Sequence, residues 1–220
     1  MMIVYYIDYM NMIDNPIRNA FRDTPLWDLV RSARNEYLLL TWNKVGPPPH
    51  IYKQRLVKSY GRKFGFSTLI ETGTYQADMA YAVRNCFKKI YTIEISPEFL
   101  KVSRLRLARF PQVECLEGDS GVLLPKLLAS IQEPCLFWLD GHYSGVGMNY
   151  NSGDSETPLM QELEAIFRHS VKKHGVLIDD AHCFDGTKGY PTMEKLIALI
   201  KERLPEHSFE VQDNIIRIMP

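Results

Sequence analysis

Six carboxylates in this 220-residue sequence stand directly after short apolar runs, the places where a folded chain most readily builds chemistry. Ile70 is followed by Glu71-Thr72-Gly73-Thr74-Tyr75, and Ile93 by Glu94-Ile95. Further on come Gly118-Asp119-Ser120, then Leu139-Asp140-Gly141-His142, then Ile178-Asp179-Asp180-Ala181-His182. Any one of these acids is equally well read as a helix cap or a solvated loop residue, and Asp119-Ser120 in particular reads as a cap. Six of them gathered in one crevice would repel one another and ask for a cation or a hydroxyl-rich ligand. Glu94 lies 23 positions after Glu71, the interval at which a nucleotide-binding βαβ unit places the acid that accepts from ribose hydroxyls. A dinucleotide site would add Gly-x-Gly-x-x-Gly for the pyrophosphate, whereas ETGTYQAD holds the single glycine Gly73. A NAD-binding Rossmann enzyme is therefore the weaker reading, and a ribose-bearing ligand without a pyrophosphate the better one. His142 and His182 each follow a site carboxylate by two positions and titrate ordinarily near ~6.5. Either can serve as a general base, His142 being preferred because it follows the fourth run directly.

The elements that must position these residues are legible from texture. Apolar runs at Thr68–Ile70, Ile90–Ile95, Val113–Leu116, Cys135–Leu139 and Gly175–Ile178 alternate with amphipathic segments near 76–88, 97–109, 120–131 and 158–172. That alternation predicts βαβ units and a parallel sheet. Ser96-Pro97-Glu98 and Thr157-Pro158 mark helix starts. After a helix from Pro191 to about Arg203, SFEVQDNIIRIM predicts two strands joined at Asp213-Asn214, a two-residue hairpin turn. The expected fold is doubly wound α/β, closed by an antiparallel hairpin. Residues 1–66 read differently, as a helical extension. Thr24-Pro25 opens one helix, and a second runs past Tyr52, Leu56 and Val57 to stop at Gly61. The expected division is thus 1–66 as extension and 67–220 as the α/β domain. The stretch YSGVGMNYNSGDSE after His142 is too long for an ordinary connection and reads as a lid or substrate surface, with Tyr190 a second candidate for the substrate wall.

Composition narrows the partners. Lys plus Arg and Asp plus Glu are 26 each, which excludes a generally basic nucleic-acid binder. The neutral total is a cancellation, since residues 1–66 hold 10 basic against 5 acidic side chains and residues 67–220 hold 16 against 21. Lys53, Arg55, Lys58, Arg62 and Lys63 form an acid-free basic stretch, read either as a solvated helix face or as a cover for the acidic crevice that recognises an anionic part of a substrate. Cys86, Cys115, Cys135 and Cys183 form no Cys-x-x-Cys pair and read as core thiols in a reducing, cytoplasmic setting. No run is long and apolar enough for a membrane span, and the start lacks the basic segment of a signal peptide. Homo-oligomerisation is open.

Taken in order, ETGTYQAD, IEIS, EGDS and FWLDGHYSG resemble the four motifs of the class I S-adenosylmethionine (SAM)-dependent methyltransferases, over roughly residues 51–184 and on through the terminal hairpin. The resemblance implies a Rossmann-like, seven-stranded, mostly parallel sheet ending in a reversed hairpin. It implies that Glu71, Thr72, Gly73 and Tyr75 face the methionine part of the cofactor, Glu94 with Ile95 the ribose, and Asp119 with Ser120 the adenine, with Asp140 beside them. The family's second and third glycines of the first motif are Tyr75 and Ala77 here, which implies a tighter loop with Tyr75 over the cofactor. Asp140 with Asp179-Asp180 is similar to the metal-dependent sugar O-methyltransferases of the macrocin and novobiocin type. That likeness implies a divalent ion, magnesium first, held by Asp140, Asp179 and Asp180 and activating a hydroxyl of a sugar or other small molecule. Asp140 would then join His142 and His182 in the chemistry. The nucleic-acid-methylating branches carry Pro-Pro-aromatic where this chain has Asp140-Gly141-His142, so nucleic acid is not expected as a substrate. The competing reading is a non-catalytic SAM-binding or interaction protein that keeps the fold.

Overall fold

The computed structural model describes residues 25–44, 46–141 and 157–220. Helix α1 (Pro25–Thr41) belongs to a first compact unit, and a second compact unit runs from Gly46 to Pro220. The division thus falls well before the 66/67 boundary expected from sequence. Its cause is helix α2 (His50–Phe64), which buries Leu56, Val57 and Gly61 and packs with the sheet of the second unit.

The second unit follows the predicted alternation: β1 (Thr68–Thr72), α3 (Asp78–Val83), β2 (Lys89–Glu94), α4 (Pro97–Leu107), β3 (Val113–Glu117), α5 (Ser120–Leu128), β4 (Cys135–Leu139), α6 (Leu159–Arg168), β5 (Gly175–Ile178), a 3-10 turn (Ala181–Cys183), α7 (Met193–Arg203), β6 (Ser208–Gln212) and β7 (Ile215–Met219). The seven strands form one sheet in the order β3-β2-β1-β4-β5-β7-β6. Strands β1 to β5 are parallel, and β7 runs antiparallel to both β5 and β6. Asp213 and Asn214 both take positive φ, 54° and 61°, as the expected two-residue turn requires.

Strand alternation sorts the core onto two faces. Ile70, Phe137, Leu139, Val176 and Ile178 lie against α5, α6 and α7. Leu69, Leu136, Trp138 and Leu177 lie against α2, α3 and α4. Wrapping on both sides explains why the central strands read as continuous apolar runs. The four cysteines are free thiols, and burial pushes Cys135 up to about 12. No helix among the described residues is long and apolar enough to cross a membrane.

Gly61 does not end α2. The stop is Gly65, left-handed at φ 70°, whose N–H returns to the carbonyls of Arg62 and Gly61. Gly61 sits inside the helix because a Cβ there would stand 2.6 Å from the Phe87 ring. Gly61→Ala should therefore destabilise the fold by about 1–3 kcal/mol through overpacking, although alanine is the better helix former by ~0.5–1 kcal/mol. Urea unfolding of the two proteins measures the sign.

Candidate functional site

The strand order reverses between β1 and β4, and in open α/β sheets the ligand crevice lies beyond the carboxyl ends at that point. Register sets Thr72 beside both Ile93 and Leu139, and Leu139 beside Ile178, so the acidic strand ends share one edge. Gly73 marks the junction. It has φ 82°, and a Cβ on it would meet the Asp140 carbonyl oxygen at 2.5 Å, so both conformation and contact require glycine.

The loop from Gly73 to Ala77 is held from the β2–α4 side. Gly73 and Thr74 donate backbone N–H groups to the Ile93 carbonyl at 3.0 and 3.2 Å. Tyr75 N–H donates to Glu94 Oε2 at 2.7 Å and Ser96 N–H to Glu94 Oε1 at 2.9 Å. Ser103 Oγ donates to the Tyr75 carbonyl, and Arg106 to the Gln76 carbonyl and the Asp78 carboxylate. Tyr75 and Ala77, at the positions where the family has glycines, keep positive φ of 49° and 60°. The Tyr75 ring packs on Phe99 with centroids 4.6 Å apart.

Beneath the loop, Glu71 is fully buried and accepts from Thr92 Oγ1 at 2.6 Å. Burial, helped by Asp140, Glu94 and Asp78, pushes its carboxyl up to about 8 against the Thr92 hydrogen bond. Thr72 Oγ1, buried beside Gly141, has no hydrogen-bond partner among the described residues, which is unusual for a buried polar atom. Ile95 is half-buried beside Glu94. Asp119 caps α5 by accepting from Gly121 N–H at 2.8 Å. Ser120 donates to Glu162 of α6, a buried acid that lies on a helix and so is not among the strand-end carboxylates of the sequence.

The ends of β4 and β5 hold the second part of the site. Asp179 is wholly buried; its Oδ2 accepts from Lys53 Nζ of α2 and its Oδ1 from Asp180 N–H at 2.9 Å. Desolvation is the largest influence on Lys53 and opposes its charge, but Asp179, Asp140 and Asp180 together outweigh it and hold its pKa above the ordinary lysine value. Asp179 is pushed up by burial and by Asp140, with Lys53 acting against them. Asp180 adopts left-handed φ 53°, and its Oδ1 accepts from Asn214 Nδ2 at 3.1 Å.

This arrangement does not fit the ion expected on Asp140, Asp179 and Asp180. Among the described residues no three His, Cys, Asp or Glu side chains stand where they could hold one metal ion. The physical reason is that Lys53 already takes Asp179 and Asn214 Nδ2 already donates to Asp180 Oδ1. Lys53 is the one member of the basic stretch that enters the crevice; Arg55 and Arg62 are exposed, and Lys63 lies over the Tyr60 and Phe64 rings. His182 is exposed on the 3-10 turn, its Nδ1 3.1 Å from Asn214 Oδ1 and 3.8 Å from Asp180 Oδ1. Tyr190 is buried edge-on to Phe184, a core residue rather than an open wall. His142 and the stretch through residue 156 lie outside the described residues.

A groove of about 690 Å³ between α5 and α6 is bordered by Pro125, Met160, Gln161 and Arg168. None of the strand-end carboxylates lines it.

No family model and no curated protein matches the sequence; solved structures do match the fold. A Podospora anserina methyltransferase bound to SAH superposes with a TM-score of 0.55 at 16% identity, covering 86% of each chain. An O-methyltransferase from Bacillus cereus in complex with SAH gives 0.55 at 14% identity, covering 97% of this chain and 96% of that one. The Streptomyces achromogenes O-methyltransferase TomG, involved in tomaymycin synthesis and solved with SAM, gives 0.53 at 14% identity over 87% and 88%. The chain has the fold of these proteins.

Glu71 generates a pH dependence. Its folded pKa of about 8 lies above the ordinary 4.5, so the stability it confers is complete below the unfolded value and is lost as pH rises through the folded one. Unfolding of the ligand-free chain should show stability falling across that window, and Glu71→Gln should flatten the fall. A Gln variant with an unchanged pH profile would contradict the assignment.

Proposed function

We propose that the chain is a SAM-dependent methyltransferase acting on a hydroxyl of a small molecule, a sugar or glycoconjugate first. The observation that supports this most is the loop joining β1 to α3, fixed by Glu94 at the point where strand order reverses. Both Glu94 oxygens already accept one backbone N–H each, and a carboxylate has about four acceptor sites, so acceptor capacity for ribose hydroxyls remains. Half-buried Ile95 supplies an apolar surface beside it, and half-buried Asp119 an acceptor at the next strand end. The orphaned Thr72 hydroxyl and the convergent acids Glu71 and Asp140 suit a polar, cationic ligand. When bound, SAM supplies an electrophilic methyl group on a sulfonium.

The same loop weighs against NAD. Helix α3 has six residues and opens on Asp78, which pairs with Arg106 at 2.6 Å. An acid in that place disfavours a pyrophosphate at the helix N-terminus.

Methylating a hydroxyl releases its proton, and the protein has to orient the acceptor oxygen and take that proton. Asp140, half-buried, and Asp179, wholly buried, stand at the ends of β4 and β5, and His142, next along the chain from Gly141, is the proposed base. Position and fixed charge are what the residues contribute. The basic stretch on α2 is the proposed contact for an anionic group of the acceptor. A small-molecule partner, no nucleic acid and a cytoplasmic setting complete the reading; a non-catalytic SAM-binding protein is its rival.

Calorimetry with SAM should show binding, and Glu94→Gln should weaken it roughly ten- to hundredfold, the scale of a lost charged hydrogen bond. No heat at millimolar SAM would falsify the proposal. Transfer of label from methyl-labelled SAM to hydroxylated acceptors separates the enzyme from its non-catalytic rival.

A further inference from the structure

Three carboxylates at adjacent strand ends have the chemistry of a donor set for a hard divalent ion, yet one of them, Asp179, is already engaged from within the chain. We infer that Lys53 is the built-in cation of this crevice, its ammonium on Asp179, so that the chain loads no divalent metal there.

The geometry is specific. Lys53 Nζ donates to Asp179 Oδ2, and the two side chains retain 14% and 0% exposure. Asp140 and Asp180 act on the same ammonium. The lysine is not on a loop that can swing out. Its neighbour Tyr52 donates to Asp213 and receives from Arg217 at 3.3 Å, and Leu56, Val57 and Gly61 bury the next two turns. A divalent ion entering beside a fixed, buried ammonium would face like-charge repulsion in a partly dry site, and the ammonium would have to lose its partner first. An ammonium also carries one charge where a divalent ion carries two, so the crevice stays acidic towards other cations. This much stands without the methyl-transfer reading. One corollary rests on the methyl-transfer reading: activation of the acceptor then falls to the protein's own groups, without an ion.

The test is manganese binding to the metal-free full chain, followed by electron paramagnetic resonance. The unaltered protein should bind Mn²⁺ no tighter than millimolar. Lys53→Met, which leaves the carboxylates uncompensated, should bind at least about tenfold tighter, and Asp140→Asn added to it should remove the gain. Lys53→Arg, which keeps the charge, should bind as weakly as the unaltered chain. Micromolar Mn²⁺ binding by the unaltered chain that disappears in Asp179→Asn overturns the inference, whether or not Lys53→Met folds. A folded Lys53→Met with no gain overturns it equally. SAM calorimetry on the same samples keeps the two ideas apart, because a chain that binds neither SAM nor Mn²⁺ rejects the cofactor reading and retains the lysine.

Discussion

A wholly buried carboxylate has to be neutralised or paired, and Asp179 at the end of β5 is paired with a lysine 126 residues earlier in the chain. Much of the site follows from that constraint. Removing one partner of a buried pair typically costs about 3–5 kcal/mol, so the pair ties α2 to the end of the sheet. With Lys53 pinned, the helical repeat turns Leu56 and Val57, and then Gly61, onto the sheet, and Tyr52 onto the β6–β7 turn. That turn holds the other side: the Asn214 carbonyl accepts from Ala181 N–H, its side-chain Oδ1 accepts from His182 N–H, and its Nδ2 donates to Asp180 Oδ1. The reversed hairpin is therefore part of the site's scaffold, holding the Asp180 loop and α2 at once.

The fold was legible because its signals are local. Short continuous apolar runs, Ser96-Pro97 and the Asp213-Asn214 turn each declare themselves within a few residues, and the strand ends then follow. The site was legible where backbone chemistry decides it, as at Gly73 and Glu94. It was not legible where distant groups meet. The carboxylates Asp140, Asp179 and Asp180 read as a metal set because the sequence shows the acids together and the lysine elsewhere; only folding brings the fourth charge to them. Gly61 read as a helix stop because glycine commonly ends helices, whereas its reason is the Phe87 ring on another element. Glu162 was missed for the same reason, being a helix residue that reaches a strand end across α5 and α6.

Lys53 on Asp179 joins the basic first 66 residues to the acidic remainder in a buried pair. Of the same basic stretch, Arg55, Arg62 and Lys63 are exposed. What sets the buried pair apart from exposed charges is burial rather than number, which overall neutrality does not reveal.

The clamp on the Gly73–Ala77 loop has a kinetic side. Its hydrogen bonds come from β2 and α4, not from any ligand, and two non-glycine residues are held at positive φ by them. Freezing a backbone residue costs about 1–2 kcal/mol, and here that ordering is completed during folding. A ligand meeting a loop already in shape needs no slow rearrangement on arrival, so its residence time is governed by the contacts it breaks on leaving.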